Sequence, residues 1–343
     1  MTDITLTIGG TRWGGWKTVQ IQRGIEQVAG QFSLGVSDRW PGQDVRRDIR
    51  PGDACTVQMD GQTVITGHVD DVAMRLRADS REIEISGRDA TGDLVDCSVT
   101  DKQYPSRTMR QIAEALCKPF GVPVAVAAGL TLPVMPTFRA DHGETVWEVI
   151  ERLARICGVL AVADGAGGLL ITRATTTRVA TELVEGQNVL EAEGAATWRE
   201  RFSTVTVVGV LPGSDGLFGA AAAGKGVATD TEISRHRPLV MQAEDASDRA
   251  GLRVRAEWER NVRSGRGRRV SVTVPGWSHA GGLWQPNTRV GVSLPSLALA
   301  ADLLITSVTH TLDDGGTRTQ IEMVRPEAFD RIPMPEPRQG GVW

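Results

Sequence analysis

No run of about 18 or more apolar residues occurs anywhere in the chain, which excludes a membrane-spanning helix and predicts no stable membrane insertion. The opening residues, Met1-Thr2-Asp3-Ile4-Thr5, lack a basic region followed by an apolar stretch. The sequence therefore predicts no signal peptide and synthesis in the cytoplasm. Lysine is nearly missing: of 38 basic residues only four are lysine, at 17, 102, 118 and 225. The arginines are scattered between Asp and Glu, so the skew reads as codon bias rather than recognition. The net charge of −4 argues against non-specific nucleic-acid binding, though not against a local patch. Cysteine is sparse, and Cys55, Cys97, Cys117 and Cys157 form no C-x-x-C pair and stand near no histidine pair. No zinc ligand set is legible, and buried free thiols are the plain reading. G-x-S-x-G and H-E-x-x-H are both absent, which removes the nucleophile elbow and the zinc-protease helix.

What is present is enough chain for two or three domains, with 343 residues of which 41% are apolar. The first hundred residues read as strands. Val19 to Arg23 and Phe32 to Val36 alternate with period two, and Asp60-Gly61 is a two-residue hairpin signal between Cys55–Met59 and Thr63–Val69. Glu82 to Gly87 adds another strand. The middle changes character: Thr108-x-x-Gln111 and Thr145-x-x-Glu148 have capping-box spacing ahead of helical stripes, and Gly121 and Gly158 supply stops. A hairpin is expected from Val159–Val162 and Leu169–Thr172. From about residue 200 strands return: Thr204–Leu211, Val270–Val274, Arg289–Leu294, Asp302–Leu312 and Thr319–Val324. Ala243–Arg260 reads as a helix running into a strand.

The fold class expected is mainly β with an α+β insertion: two related antiparallel β-barrel domains flanking a small α+β domain. The boundaries are 1–100 for the first barrel, 101–178 for the α+β domain and 179–330 for the second barrel, which carries a mobile loop near 212–230. Residues 331–343 form an extended proline-rich tail.

The two β units are alike. Phe32–Val36 matches Val270–Val274, Pro51 matches Pro286, Val64-Ile65-Thr66 matches Leu304-Ile305-Thr306, and Ile83-Glu84-Ile85 matches Ile321-Glu322-Met323. The order is the same and the separation nearly constant, which favours duplication over chance likeness of β-rich segments. If so, Ile65 and Ile305 share one face of their strands and Thr66 and Thr306 the other. Three copies of such a chain around an axis would present six similar units, able to meet a six-fold partner on one side and a three-fold partner on the other.

The run from Gly14 to Phe32, Pro51-Gly52-Asp53, Thr66-Gly67-His68-Val69-Asp70 and above all Ser86-Gly87-Arg88-Asp89-Ala90-Thr91-Gly92-Asp93-Leu94-Val95-Asp96-Cys97-Ser98 resemble the phage Mu-type baseplate hub proteins (tail protein P family). The resemblance extends over most of the chain and is densest over 14–100. It implies a non-enzymatic structural protein of the virion tail baseplate, made in the host cytoplasm. It implies a homotrimer lying between the tail tube, or adjoining baseplate proteins, and the tail spike.

Candidate chemistry is thin. Gly219 to Gly226 imitates a phosphate loop, but Gly226 replaces the Ser or Thr that would hold magnesium, and no amphipathic helix follows. No cofactor, metal or small-molecule substrate is expected. His142 stands beside Asp141 and Glu144, which suits either a general acid/base pair or the turn into a capped helix. His68 and His310 lie on strands and are candidates for equivalence under the repeat. Arg263, Arg266, Arg268 and Arg269 form the densest basic run, either a solvated strand end or a patch for an acidic partner or DNA. Trp13, Trp16 and Trp343 join Arg266, Arg268 and Arg269 as candidate partner-interface residues, with core packing the alternative for each tryptophan. A tail-associated peptidoglycan hydrolase and a carbohydrate-binding β module are the alternatives to the hub.

Overall fold

The computed structural model describes residues 4–37, 48–77, 81–100, 103–210, 223–243 and 249–333. Alternating apolar positions build the first unit: β1 (Ile4–Ile8), β2 (Thr11–Trp13), β3 (Thr18–Gly24), β4 (Gln31–Ser37), β5 (Ala54–Met59), β6 (Gln62–Leu76) and β7 (Arg81–Asp89). In β3, Val19 and Ile21 turn inward while Gln20 and Gln22 turn outward. Asp60 and Gly61 both take positive φ, 47° and 80°, which matches the hairpin twist and joins β5 to β6 in two residues.

The middle unit follows: α1 (Gly92–Asp96), β8 (Gln103–Thr108), α2 (Met109–Cys117), β9 (Val124–Val126), β10 (Val134–Arg139), α3 (Val146–Cys157), β11 (Leu160–Ala163) and β12 (Leu169–Thr172). Both expected capping boxes form, with the Thr108 and Thr145 hydroxyls accepting from the backbones of Gln111 and Glu148 and those side chains reaching back. Gly158 closes α3 at φ 66° in the left-handed region, where a Cβ is costly. Ile112, Leu116, Val149, Ile150 and Leu153 meet in one apolar cluster between the two helices and their strands.

The remainder comprises β13 (Leu183–Val184), β14 (Glu191–Ala196), β15 (Thr204–Val210), β16 (Ala223–Thr229), β17 (Pro238–Gln242), α4 (Arg249–Arg266), β18 (Arg268–Pro275), β19 (Ser278–His279), β20 (Gly282–Leu283), β21 (Arg289–Leu294), β22 (Leu299–Asp313) and β23 (Gly316–Val324). Three expectations change here. Residues 223–229 of the presumed mobile loop are strand β16, paired along its length with β15; 212–222 lie outside the described residues. The helix expected to run into a strand by Arg260 continues to Arg266, because its apolar stripe extends through Leu252, Ala256 and Val262. Region 179–330 is also more than one β unit, since β16-β15-β17 form a separate sheet covered by α4. Of the tail, 334–343 lie outside the described residues.

Strand order establishes the duplication. The first unit runs β3-β4-β7-β6-β5 and the second β14-β18-β23-β22-β21. Both long strands carry a bulge against their partners, between Val69 and Asp71 in β6 and between Ile305 and Ser307 in β22. Aligning the bulges makes Val69 equivalent to Ile305 and Ile85 to Ile321. Phe32 with Val270 and Pro51 with Pro286 remain matched as the sequence suggested. The pairing of Ile65 with Ile305 is four residues out of step, and that of Ile83 with Ile321 two. Both slips are even, so faces survive, and Ile65, Ile305, Ile83 and Ile321 are all buried. Thr306 breaks the rule: it sits in the bulge and is buried, whereas Thr66 is half-buried. His68 and His310 are not equivalent; His310 corresponds to Met74.

Two closed barrels are not what forms. Backbone pairing closes neither unit among the described residues, because β3 pairs with β22, antiparallel from Val19↔Leu312 to Gly24↔Ser307. The two units thus share one thirteen-stranded sheet. Each nevertheless has its own apolar cluster, one built on Ile21, Leu34 and Ile65, the other on Val272, Ile305 and Ile321. Trp277 crosses the division. It follows β18, yet packs 2% exposed in the first unit's cluster and donates from Nε1 to the Thr311 carbonyl at 2.9 Å.

His310 lies in this seam opposite Ile21, 4% exposed, with Nδ1 3.1 Å from the Thr319 hydroxyl. Burial, with Arg23 nearby, lowers its pKa to about 4 against an opposing contact with the Trp284 backbone. The unfolded chain binds the extra proton below about pH 6.5 and the folded chain does not. The neutral imidazole's contribution is therefore complete above that pH and is lost as the pH falls towards 4, about 3 kcal/mol in all. Urea unfolding of His310→Gln at pH 7.5 and pH 4.5 is expected to show a smaller loss of stability on acidification than the parent protein.

Candidate assembly interface

Besides the short end strands β2 and β13, each held by one neighbour, the shared sheet leaves two longer backbone edges without a partner strand among the described residues. The first is the outer half of β6. Strand β5 covers Gln62 to His68, but no strand lies against that side of Asp71–Leu76. Met74 is 48% and Leu76 83% exposed there. The second is β14, held only by β18 and exposed except for Ala192. Exposed backbone donors and acceptors beside apolar side chains make such edges natural pairing sites for another chain.

A charged cleft lies where α3, α4 and the segment after β23 meet. It measures about 430 Å³ and is lined by Glu151, Arg155, Arg263, Arg266 and Arg331 among others. Burial pushes the Arg331 guanidinium below its ordinary value; Glu151 opposes this, while Arg266 and Arg155 add to it. The basic run is divided. Arg263 and Arg266 occupy the last turn of α4, favourable for cations at a helix C-terminus, and not a strand end. Arg263 pairs with Glu259 and Glu200, Arg268 with Glu232, and Arg269 with Glu26 across the two units at 2.8 Å. Arg266 makes no ion pair among the described residues. With three of four charges neutralised, the run is no basic stripe of the kind DNA requires.

The tryptophans separate as well. Trp16 is buried in the first unit's core, Trp13 packs half-buried against that core, and Trp343 lies outside the described residues.

The segment Ser86 to Ser98 holds the first sheet to the middle unit. Buried Asp89 accepts from the backbone N–H of Gly30 at 2.7 Å and of Thr91 at 2.9 Å, and from the Thr91 hydroxyl. Burial still raises its pKa; the Thr91 and Gly30 hydrogen bonds and the Arg23 charge only moderate the effect. Arg88 forks to Asp70 and Asp96, each at 2.7 Å, tying β6 to α1.

The carboxylates that follow His142 are engaged in structure. Glu144 is taken by Arg152 at 2.7 Å and by the Asp141 backbone N–H, and Glu148 by the capping box. Gly224-Lys225-Gly226 lies within a strand, without the helix N-terminus a phosphate loop needs. A Cβ on Gly226 would stand 2.2 Å from the Leu252 backbone, so this glycine serves the packing of α4 on its sheet. Cys55, Cys117 and Cys157 are buried with thiol pKa values pushed up by burial, to about 12, 12 and 11; Cys97 is exposed. Among the described residues no three His, Cys, Asp or Glu side chains gather as a metal set.

Comparison with known proteins decides the family. Residues 3–89 match the N-terminal domain of the Mu phage baseplate assembly protein GpP-like family, 91–173 the second domain of baseplate hub protein gp44-like, and 248–332 the fourth domain of GpP. The baseplate hub protein gp44 of Escherichia phage Mu is 35% identical over 95% of this chain and 88% of its own. The chain belongs to the Mu-type baseplate hub family. This hub is therefore a structural protein of a phage tail baseplate and not an enzyme. A 43 kDa tail protein of prophage MuSo2 from Shewanella oneidensis shares 36% identity and a TM-score of 0.84 over 96% of this chain and all of its own. A type VI secretion component of Escherichia coli, described as structurally similar to the T4 tail proteins gp27 and gp5, shares the fold at 11% identity and a TM-score of 0.59, covering 96% of this chain and 80% of its own.

Sequence reasoning passed over Arg201, which anchors the sheet beneath α4 in this hub. Its guanidinium is 1% exposed and bonds Asp230 at 2.7 Å and Glu232 at 2.8 Å. The partners lie 29 and 31 residues away, beyond any local spacing rule. Removing Asp230 takes away the buried partner and leaves Arg201 only the part-exposed Glu232, so Asp230→Ala is expected to lose about 1.5–3 kcal/mol in urea unfolding. Asp313→Ala, at the exposed Arg318 pair, is expected to leave the urea midpoint almost unchanged.

Proposed function

We propose that this hub works as a homotrimeric ring joining a six-fold tail tube, or the adjoining baseplate proteins, to a three-fold spike. The observation that supports it is the internal seam. One chain carries two equivalent units already joined edge to edge by β3 and β22. A heterologous contact repeated with the same rotation generates a ring, and three two-unit chains give six such units. Barrel closure then belongs to the ring: its sheet would run continuously around the axis and leave neither unit's edge bare. The domain boundaries proposed are 1–100, 101–178 and 179–330, the last carrying the separate α4-covered sheet beside its β unit, with 331–343 as a tail.

Arg266 in the charged cleft and Trp13 at the margin of the first core are the proposed contacts for adjoining proteins, with Arg268, Arg269, Trp16 and Trp343 as secondary candidates. Static light scattering at tens of micromolar is expected to give three times the 36.9 kDa chain mass. A strictly monomeric species, alone and with spike protein added, would sink the ring.

A further inference from the structure

The seam inside the chain predicts the seam between chains. In the first unit β3 is the strand that precedes β4, and in the second unit β14 holds the same place beside β18. The long strands β6 and β22 are likewise equivalent, bulge for bulge. Within one chain, the leading strand of the first unit lies against the long strand of the second. The two segments left over are the leading strand of the second unit, β14, and the outer half of β6 in the first. They are the two longer bare edges described above.

We infer that β14 of one copy pairs antiparallel with Asp71–Leu76 of a second copy, in the register of the β3–β22 seam. The inference rests on the ring reading and adds to it which edges meet and which residues face each other. The register transfers directly. Leu34 and Val272 are equivalent, so Val19 corresponds to Ala192 and Ile21 to Gly194. Leu312 and His310 correspond to Leu76 and Met74. The internal pairs Val19↔Leu312 and Ile21↔His310 therefore become Ala192↔Leu76 and Gly194↔Met74 between chains. Gln20↔Thr311 becomes Glu193↔Arg75.

Nothing in that transfer used side-chain chemistry, yet the chemistry agrees. The two exposed apolar residues on β6 fall opposite Ala192 and Gly194, two of the small residues of β14 and not its glutamates, so each large side chain meets an uncrowded position on the partner strand. On the other face the transfer sets a cation opposite an anion. Arg75 is 66% exposed in its side chain and, among the described residues, has only a long contact, 3.9 Å, to Glu84. A one-residue slip would instead set Glu193 opposite Met74 or Leu76, on the same face as both, and lose the match with Arg75.

Disulfide trapping tests the register. In a Cys97→Ser background, which removes the exposed thiol, Leu76→Cys with Ala192→Cys is expected to give covalent dimers and trimers on oxidation. Leu76→Cys with Ala195→Cys, on the wrong face, is expected to give none. Six strands separate β6 from β14 within a chain, so a bond inside one molecule does not compete. Arg75→Glu is expected to weaken assembly by roughly tenfold, from like charges set opposite each other, and Arg75→Glu with Glu193→Arg to restore it. Trimers by light scattering with no covalent ladder, or with an equal ladder from the Ala195 pair, overturn this register and leave the ring standing. Monomers by light scattering and no ladder overturn both.

Discussion

Everything in this molecule depends on one antiparallel contact, β3 against β22. A β-sheet edge is a row of unsatisfied backbone groups, and each of the two units has one at its leading strand and another along the outer half of its long strand. The chain satisfies one edge of the first unit with the long strand of the second instead of folding each unit onto itself. That choice turns two small sheets into one continuous surface. It also buries Trp277 of the second unit in the core of the first and seats His310 against Ile21. The middle unit is fixed to the same frame through Phe329, which packs with Ile25, Leu160 and Leu304 from three parts of the chain.

The contact also separates what is rigid from what is available. Large apolar side chains and buried polar groups gather at the internal seam. The remaining edges carry Met74 and Leu76 on one side and a run of small residues on the other. A charge cluster at the junction of α4 with the β units is largely self-neutralised, through Arg263, Arg268 and Arg269. Assembly by backbone pairing and apolar contact suits a load-bearing structural part better than assembly by exposed charge, which salt screens.

Local rules read well from the sequence where they were complete. The Thr108 and Thr145 boxes, the Asp60-Gly61 turn and the alternation of β4 and β18 each carry their whole signal within a few residues. The duplication was legible for the same reason, though part of the alignment slipped by two and four residues, because period-two alternation looks the same at every even offset. β14 was not legible. Glu191-Ala-Glu-Gly-Ala-Ala196 shows no apolar alternation, and only the strand beside it makes it a strand. Trp277 and Arg201 were missed because their roles lie with residues remote in sequence. The motif from Ser86 to Ser98 was recognisable as a family pattern, but its physical basis, Asp89 gathering Gly30 and Thr91, required the fold.

The seam between β3 and β22 has a further consequence, in concentration. Because its two strands belong to one chain, they meet at the local concentration set by their connection, and dilution cannot part them. An arc of two units therefore exists before any second molecule arrives. Only contacts between chains answer to mass action, so in the proposed ring a newly made chain would enter as a finished segment, its growth governed by supply alone.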